Sequence, residues 1–256
     1  MDKRELPIAV FDSGLGGISV LKRLCRKLPS EKFIYFGDSK YAPYGEKSRE
    51  WILSRSIEIA ENFISEGIKA LVVACNTATS VAVKTLRERY PDIPVIGLEP
   101  ALKIAVESGR EGAVVVMATP VTLSGEKFSA LLERFKEEKK IILMPAPKLV
   151  EFVENGEYGG EAVEEYLKEL LLPYKGSRIA SVVLGCTHFP FLKEAISKVF
   201  GDVDFYDGAV GTANETARQL ELRGLLSEEN NGFVAIDNSL GDEMSERSWE
   251  LFEREI

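Results

Sequence analysis

Eight short apolar runs, each of strand length and each followed by small or polar residues, constrain this chain more than any other feature of its sequence. They are PIAVF, KFIYFG, ALVVA and IPVIG in the first half, then AVVVM, KIILM, ASVVL and VDFYD in the second. Continuous apolar runs, unlike alternating ones, belong to strands covered on both faces, as in a parallel sheet. Between them ISVLKRLCRKL, REWILSRSIEIAENFISEG and EAVEEYLKELLL space their apolar residues three and four apart. That is the pattern of a helix with one buried face. Parallel strands need crossover connections and these helices supply them, so the expected class is α/β.

The two series of runs overlay. Phe11 matches Met117, Phe36 matches Met144 and Cys75 matches Cys186, each pair close to half a chain apart, with the drift that small loop insertions give. The expected organisation is two similar doubly wound α/β domains related by a pseudo-twofold axis, with a cleft between them. A chain of 256 residues is long enough for two such cores. The final stretch, GFVAIDNSLGDEMSERSWELFEREI, lies beyond the second series and is expected to return to the first domain. The first domain then comprises residues 1–98 with 211–256, and the second residues 99–210.

A formal net charge of −9 gives no basic surface for nucleic acid. No apolar run approaches the roughly 20 residues of a membrane span, and the N-terminus passes from charges directly into a strand, so a cytoplasmic protein is expected. Three widely spaced cysteines make no disulfide framework, and one histidine without a C-x-x-C pair makes no zinc site.

In open parallel sheets ligands bind beyond the carboxyl ends of the strands. There the chain places Asp12-Ser13-Gly14, Cys75-Asn76-Thr77 and Cys186-Thr187-His188. Both cysteines stand where a strand ends and a helix is expected, where the helix dipole favours a thiolate. Cys25, inside VLKRLCRKL, has no polar company and reads as a small core residue. Asp12 suits either a helix cap or a catalytic acid. Gly14 and Gly16, with Asp38 after the second run, form a partial dinucleotide fingerprint whose third glycine position is Ser19. His188 is placed to polarise Cys186. Glu154, one acid of several in KLVEFVENGEYGGE, reads alone as part of a solvated face. The loop KYAPYGEKS is suited to presenting backbone donors to a carboxylate, or is an ordinary turn.

Two thiols on opposite sides of one cleft suit the inversion of a stereocentre that carries an acidic hydrogen. One thiolate removes the proton from one face while the other thiol delivers a proton to the opposite face. Hydroxyls of Ser13, Thr77 and Thr187 are available to support the intermediate charge.

The stretches FDSGLGG, YFGDSKYAPYG, VVACNTATS, VIGLEPA and VLGCTHFPFL together resemble the aspartate/glutamate racemase superfamily, in particular its glutamate racemase branch. The resemblance implies cofactor-independent interconversion of L- and D-glutamate, supplying D-glutamate for peptidoglycan, with neither pyridoxal phosphate nor metal. It implies that Cys75 and Cys186 are the two bases, that Asp12 assists the first and His188 the second, and that Glu154 is a further acid of the site. It implies that Ser13, Pro43, Tyr44, Gly45, Asn76, Thr77, Thr119 and Thr187 hold the substrate, and that the protein is a homodimer. Two positions depart from the superfamily pattern. Met117-Ala118 precede Thr119 where relatives carry glycine before the threonine, and Ala146 stands where many carry another cysteine. The residues leave two other readings open, a racemase of aspartate or another amino acid and a carboxylate-binding module without turnover.

Overall fold

The computed structural model describes residues 2–135 and 137–255. Along the chain run β1 (Ile8–Asp12), α1 (Ile18–Lys27), β2 (Lys32–Gly37), α2 (Arg49–Glu66), β3 (Ala70–Val73), α3 (Asn76–Arg89) and β4 (Val95–Gly97). Next come α4 (Leu102–Glu107), β5 (Ala113–Ala118), α5 (Pro120–Leu123), α6 (Glu126–Phe135), β6 (Ile141–Pro145), α7 (Lys148–Glu154), α8 (Glu161–Leu171) and β7 (Ile179–Leu184). The chain closes with α9 (Lys193–Phe200), β8 (Asp204–Asp207), α10 (Ala209–Leu222), β9 (Phe233–Asn238) and α11 (Asp242–Glu253).

The strands form two parallel sheets, ordered β4-β3-β1-β2-β9 and β6-β5-β7-β8. Reading the second from its other edge gives β8-β7-β5-β6, the winding of β4-β3-β1-β2. The overlaid apolar runs therefore occupy corresponding strands. Every residue of β1, β3 and β5 is buried, as continuous apolar runs require when helices cover both faces. In β9, which lies on an edge beside β2, burial alternates until the final residue, Asn238. The C-terminal stretch thus adds a strand to the first sheet, and α10 and α11 both pack on α1.

One apolar cluster runs through both units, from Val10 and Val72 of the first sheet to Val115, Met117 and Val182 of the second. This shared core fixes the carboxyl edges of the sheets against each other. Among the described residues no helix is long and apolar enough to cross a membrane.

Candidate active site

Cys75, two residues past β3, is itself the N-cap of α3. Its Sγ accepts the Ala78 N–H at 3.4 Å, and the thiol donates to Ser13 Oγ at 3.5 Å. The placement at a helix N-terminus is as expected, but the proton affinity is not. Burial, together with the negative charge of Asp12, pushes the Cys75 thiol up and outweighs these two hydrogen bonds. Cys186 differs in its backbone setting. No α-helix follows it directly: Pro190 disfavours α geometry at Phe189, and the chain takes the 3-10 turn Phe189–Leu192 before α9. The polar support of Cys186 comes instead from His188, whose Nδ1 lies 3.6 Å from its Sγ.

His188 is buried, and its other nitrogen, Nε2, lies 2.6 Å from Glu154 Oε1. Burial alone would lower the imidazole pKa, but the hydrogen bonds to Cys186 and Glu154 outweigh it and hold the ring protonated well above its ordinary value. Glu154 is no solvated acid. Its Oε1 also accepts the Leu15 N–H at 2.6 Å, and its Oε2 accepts the Ser39 hydroxyl at 2.9 Å. Ser39 Oγ in turn accepts from Asn238 Nδ2 at 3.0 Å. A single carboxylate at the end of α7 thereby ties the second unit to β1, β2 and β9 of the first.

Asp12 reaches both the start of α1 and the second unit. Oδ2 accepts the N–H groups of Gly14 and Gly17 at 3.2 and 3.0 Å, at the start of α1. Oδ1 accepts the Thr187 hydroxyl at 3.3 Å across the cleft. The carboxyl is fully buried, and burial raises its pKa against the opposing pull of His188. A carboxyl with a raised folded-state pKa stabilises the fold only at low pH and costs stability once ionised. Asp12→Asn is therefore expected to leave the melting temperature at pH 7 unchanged or higher while lowering turnover about 100-fold, the low end for a positioned acid or base. A lower melting temperature with full turnover would refute that expectation.

The remaining predicted residues line the same cleft. Thr77 and Thr119, one from each unit, bring their hydroxyls to 3.0 Å, and Thr122 joins them at 3.4 and 3.0 Å. Asn76, Cys186 and Thr187 share a cavity of only about 10 Å³ with Asp207 and Gly208. Pro43 opens the one-turn 3-10 helix Tyr44–Glu46, and Gly45 packs on Thr119. The Tyr44 hydroxyl is committed to Asp38, to which it donates at 2.6 Å.

The dinucleotide reading of the glycines is overturned. A Cβ on Gly14 would lie 2.0 Å from Glu154 Oε1, and one on Gly16 would lie 2.3 Å from His188 Nδ1 and 2.6 Å from Thr187 Oγ1. These glycines permit the β1–α1 loop to approach the second unit, and Asp38 is spent on Tyr44 and Arg55. Gly16→Ala must displace His188, and a loss of turnover of about 100-fold is expected in steady-state assays of the folded variant. Wild-type rates would disprove the contact.

Ser39 and Asn238 escaped the sequence reading although each lies at a strand's carboxyl end, the rule that found Cys75. Thr122 stands one helical turn after Thr119, a weaker signal, and the Leu15 N–H leaves no trace in residue identity. Among the described residues no group of three or more His, Cys, Asp or Glu side chains is arranged to hold a metal ion.

Comparison with known proteins sets this geometry in context. Glutamate racemase of Clostridium botulinum (strain Alaska E43 / Type E3) is 48% identical, with 99% of each chain covered. Glutamate racemase of Clostridium perfringens (strain ATCC 13124) is 49% identical, with 94% of each covered. The crystal structure of glutamate racemase from Francisella tularensis subsp. tularensis SCHU S4 in complex with D-glutamate has a TM-score of 0.82 at 31% identity, covering 97% of this chain and 94% of that one. That of the Escherichia coli enzyme, in complex with L-glutamate and the activator UDP-MurNAc-ala, has a TM-score of 0.81 at 32% identity, covering 96% and 95%. The family model for Asp/Glu/Hydantoin racemases matches residues 13–216, a span that runs from Ser13 through both strand-end cysteines. With its paired sheets and its two thiols at corresponding strand ends, the chain belongs to the Asp/Glu/Hydantoin racemase family.

Proposed function

We propose that this protein interconverts L- and D-glutamate by a two-base reaction that calls on no cofactor, supplying D-glutamate for peptidoglycan in a bacterial cytoplasm. The observation that carries the reading is the pair of buried cysteines at corresponding ends of β3 and β7, facing one cleft with different partners. The likeness to glutamate racemases, two of them solved with glutamate bound, supports glutamate as the substrate.

A two-base reaction needs one thiolate and one thiol at the start of each turnover, and the two environments favour that asymmetry. In one direction Cys75, which burial keeps as the thiol, is the acid, and Cys186, with His188 Nδ1 3.6 Å from its sulfur, is the base. The Cys186 thiolate takes the α-proton from one face and becomes a thiol. The Cys75 thiol then delivers its proton to the opposite face and becomes a thiolate. The reverse direction uses the same groups with roles exchanged. Asn76 and the hydroxyls of Ser13, Thr77, Thr119 and Thr187, with the backbone of Pro43, Tyr44 and Gly45, hold the substrate's ammonium and carboxylates. Asp12 and the Glu154–His188 pair serve the two thiols in turn.

The cavity of about 10 Å³ beside Cys186 is at the lower limit for a single water molecule. The same reading takes the units as residues 1–98 with 211–256 and residues 99–210, and the protein as a homodimer, which sedimentation will check.

The test is proton NMR of the purified protein with L-glutamate in deuterium oxide, followed by chiral analysis. Loss of the α-proton signal with appearance of D-glutamate supports the reading. Absence of both, with exchange of aspartate or no exchange at all, overturns it.

A further inference from the structure

A buried charge cluster beside the cleft takes no part in the reaction just described. Asp38, the residue after β2, is fully buried. Its Oδ2 accepts from the Tyr44 hydroxyl at 2.6 Å and from Arg55 Nε at 2.8 Å, and its Oδ1 accepts from Arg55 Nη2 at 2.8 Å. Arg55 projects from α2, and its Nη1 pairs with Glu58 at 2.9 Å. The guanidinium lies 5.0 Å over the Tyr41 ring, and the Trp51 ring packs 5.4 Å from both Tyr41 and Tyr44.

Each part of this cluster depends on the others. A carboxylate with no exposure needs a full set of partners, and a guanidinium fork supplies two in fixed geometry. The Tyr44 hydroxyl, its pKa driven upward by burial and then by Asp38, stays a proton donor to that carboxylate. The ring of Tyr44 is thus fixed at its far end, and its backbone is held where it faces the cleft. The next residue, Gly45, has no room to shift, since a Cβ there would lie 3.0 Å from Thr119 Cβ and 3.1 Å from its Cγ2. Thr119 is the residue whose hydroxyl meets Thr77 across the cleft.

We propose that Arg55 is a positioning residue for substrate binding: through Asp38 and Tyr44 it sets the Pro43–Gly45 backbone against Thr119 at the height where a substrate carboxylate is held. This rests on the glutamate reading above. Arg55 touches no substrate, and its influence falls on binding rather than on the proton transfers at Cys75 and Cys186.

The test is steady-state kinetics on both glutamate enantiomers for wild type, Arg55→Lys, Arg55→Ala, Tyr44→Phe and the Arg55→Ala/Tyr44→Phe double variant, with melting temperatures measured alongside. Arg55→Ala is expected to raise KM about tenfold or more in both directions while kcat stays within about threefold. Arg55→Lys, which keeps the charge but loses the fork, should fall between Arg55→Ala and wild type. The double variant should be no worse than Arg55→Ala alone, because both side chains act through one carboxylate. If Arg55→Ala does not fold, Tyr44→Phe decides, since it leaves the Arg55–Asp38 pair intact: a raised KM supports the inference and an unchanged one overturns it. Folded variants with wild-type KM, or with kcat lowered and KM unchanged, overturn it too. A wild-type protein that turns over no glutamate overturns the functional reading and this inference together, whereas wild-type turnover with unshifted variants overturns this inference alone.

Discussion

Cys75→Ala and Cys186→Ala should each reduce glutamate racemisation by about 10⁴-fold or more, the upper end of what one positioned acid or base contributes. Both substitutions only remove a buried sulfur and leave Cβ in place as a methyl, so the folded state is expected to survive them, with the loss confined to the thiol's contacts with Ser13, Ala78 and His188 at 3.4–3.6 Å. The more telling result is residual exchange. A variant that keeps one thiol can still remove the α-proton from the enantiomer that presents it to that side, and can return a deuteron to the same face. Cys75→Ala should therefore wash deuterium into one enantiomer without inverting it, and Cys186→Ala should do so with the other. Proton NMR in deuterium oxide with each pure enantiomer reads this directly. If both variants exchange the same enantiomer, or either inverts at the wild-type rate, the assignment of one base to each face is wrong.

The second large effect concerns the Cys186–His188–Glu154 array. His188 titrates well above its ordinary value because the hydrogen bonds to Cys186 and Glu154 outweigh the burial that would lower it. A base whose folded-state pKa is raised contributes stability that is fully present below its unfolded value near 6.5 and is lost as pH climbs through the folded value. Wild-type stability should therefore decline on the alkaline side by an increment that His188→Asn lacks. Glu154→Gln removes one anion from the imidazolium, lowers the folded pKa and brings the decline to lower pH. Turnover should follow the same order, with kcat down by about 100-fold in either variant and the alkaline limb of the Glu154→Gln profile displaced toward neutral pH. Melting curves and kcat profiles from pH 6 to 10 check both. Superimposable alkaline limbs would mean that the pair does not govern Cys186.

Much of this architecture is written in apolar runs. Continuous runs such as ALVVA and AVVVM left no choice but strands covered on both faces, and their repetition gave two units of one winding. The same logic located Cys75 and Cys186, because ligand chemistry in such sheets gathers at strand ends. What stayed hidden depends on partners distant in sequence. Read from its own neighbours Glu154 looked like one surface acid among several, and only the family resemblance marked it for the site; its partners Leu15 and Ser39 of the other unit come from the placement of α7. The glycines of DSGLGG suggested a phosphate loop, whereas the space they leave belongs to Glu154 and His188. The helix expected after Cys186 was displaced by Pro190, and the dipole argument passed with it to the imidazole. Cys25, expected in the core, is half-buried at its margin, its thiol pushed up to about 12 by burial.

The pairing of β9 with β2 also sets a timetable. Asn238 reaches Ser39 across 199 residues of sequence, and Ser39 is one of the groups that hold Glu154. During synthesis β1 to β4 are made long before β9, so the β2 edge of their sheet has no partner strand until then. At roughly 5 to 20 residues per second that edge waits on the order of ten seconds for its last strand. The Asn238–Ser39 support of Glu154 therefore closes only once β9 has been made, after both cysteines have already been translated.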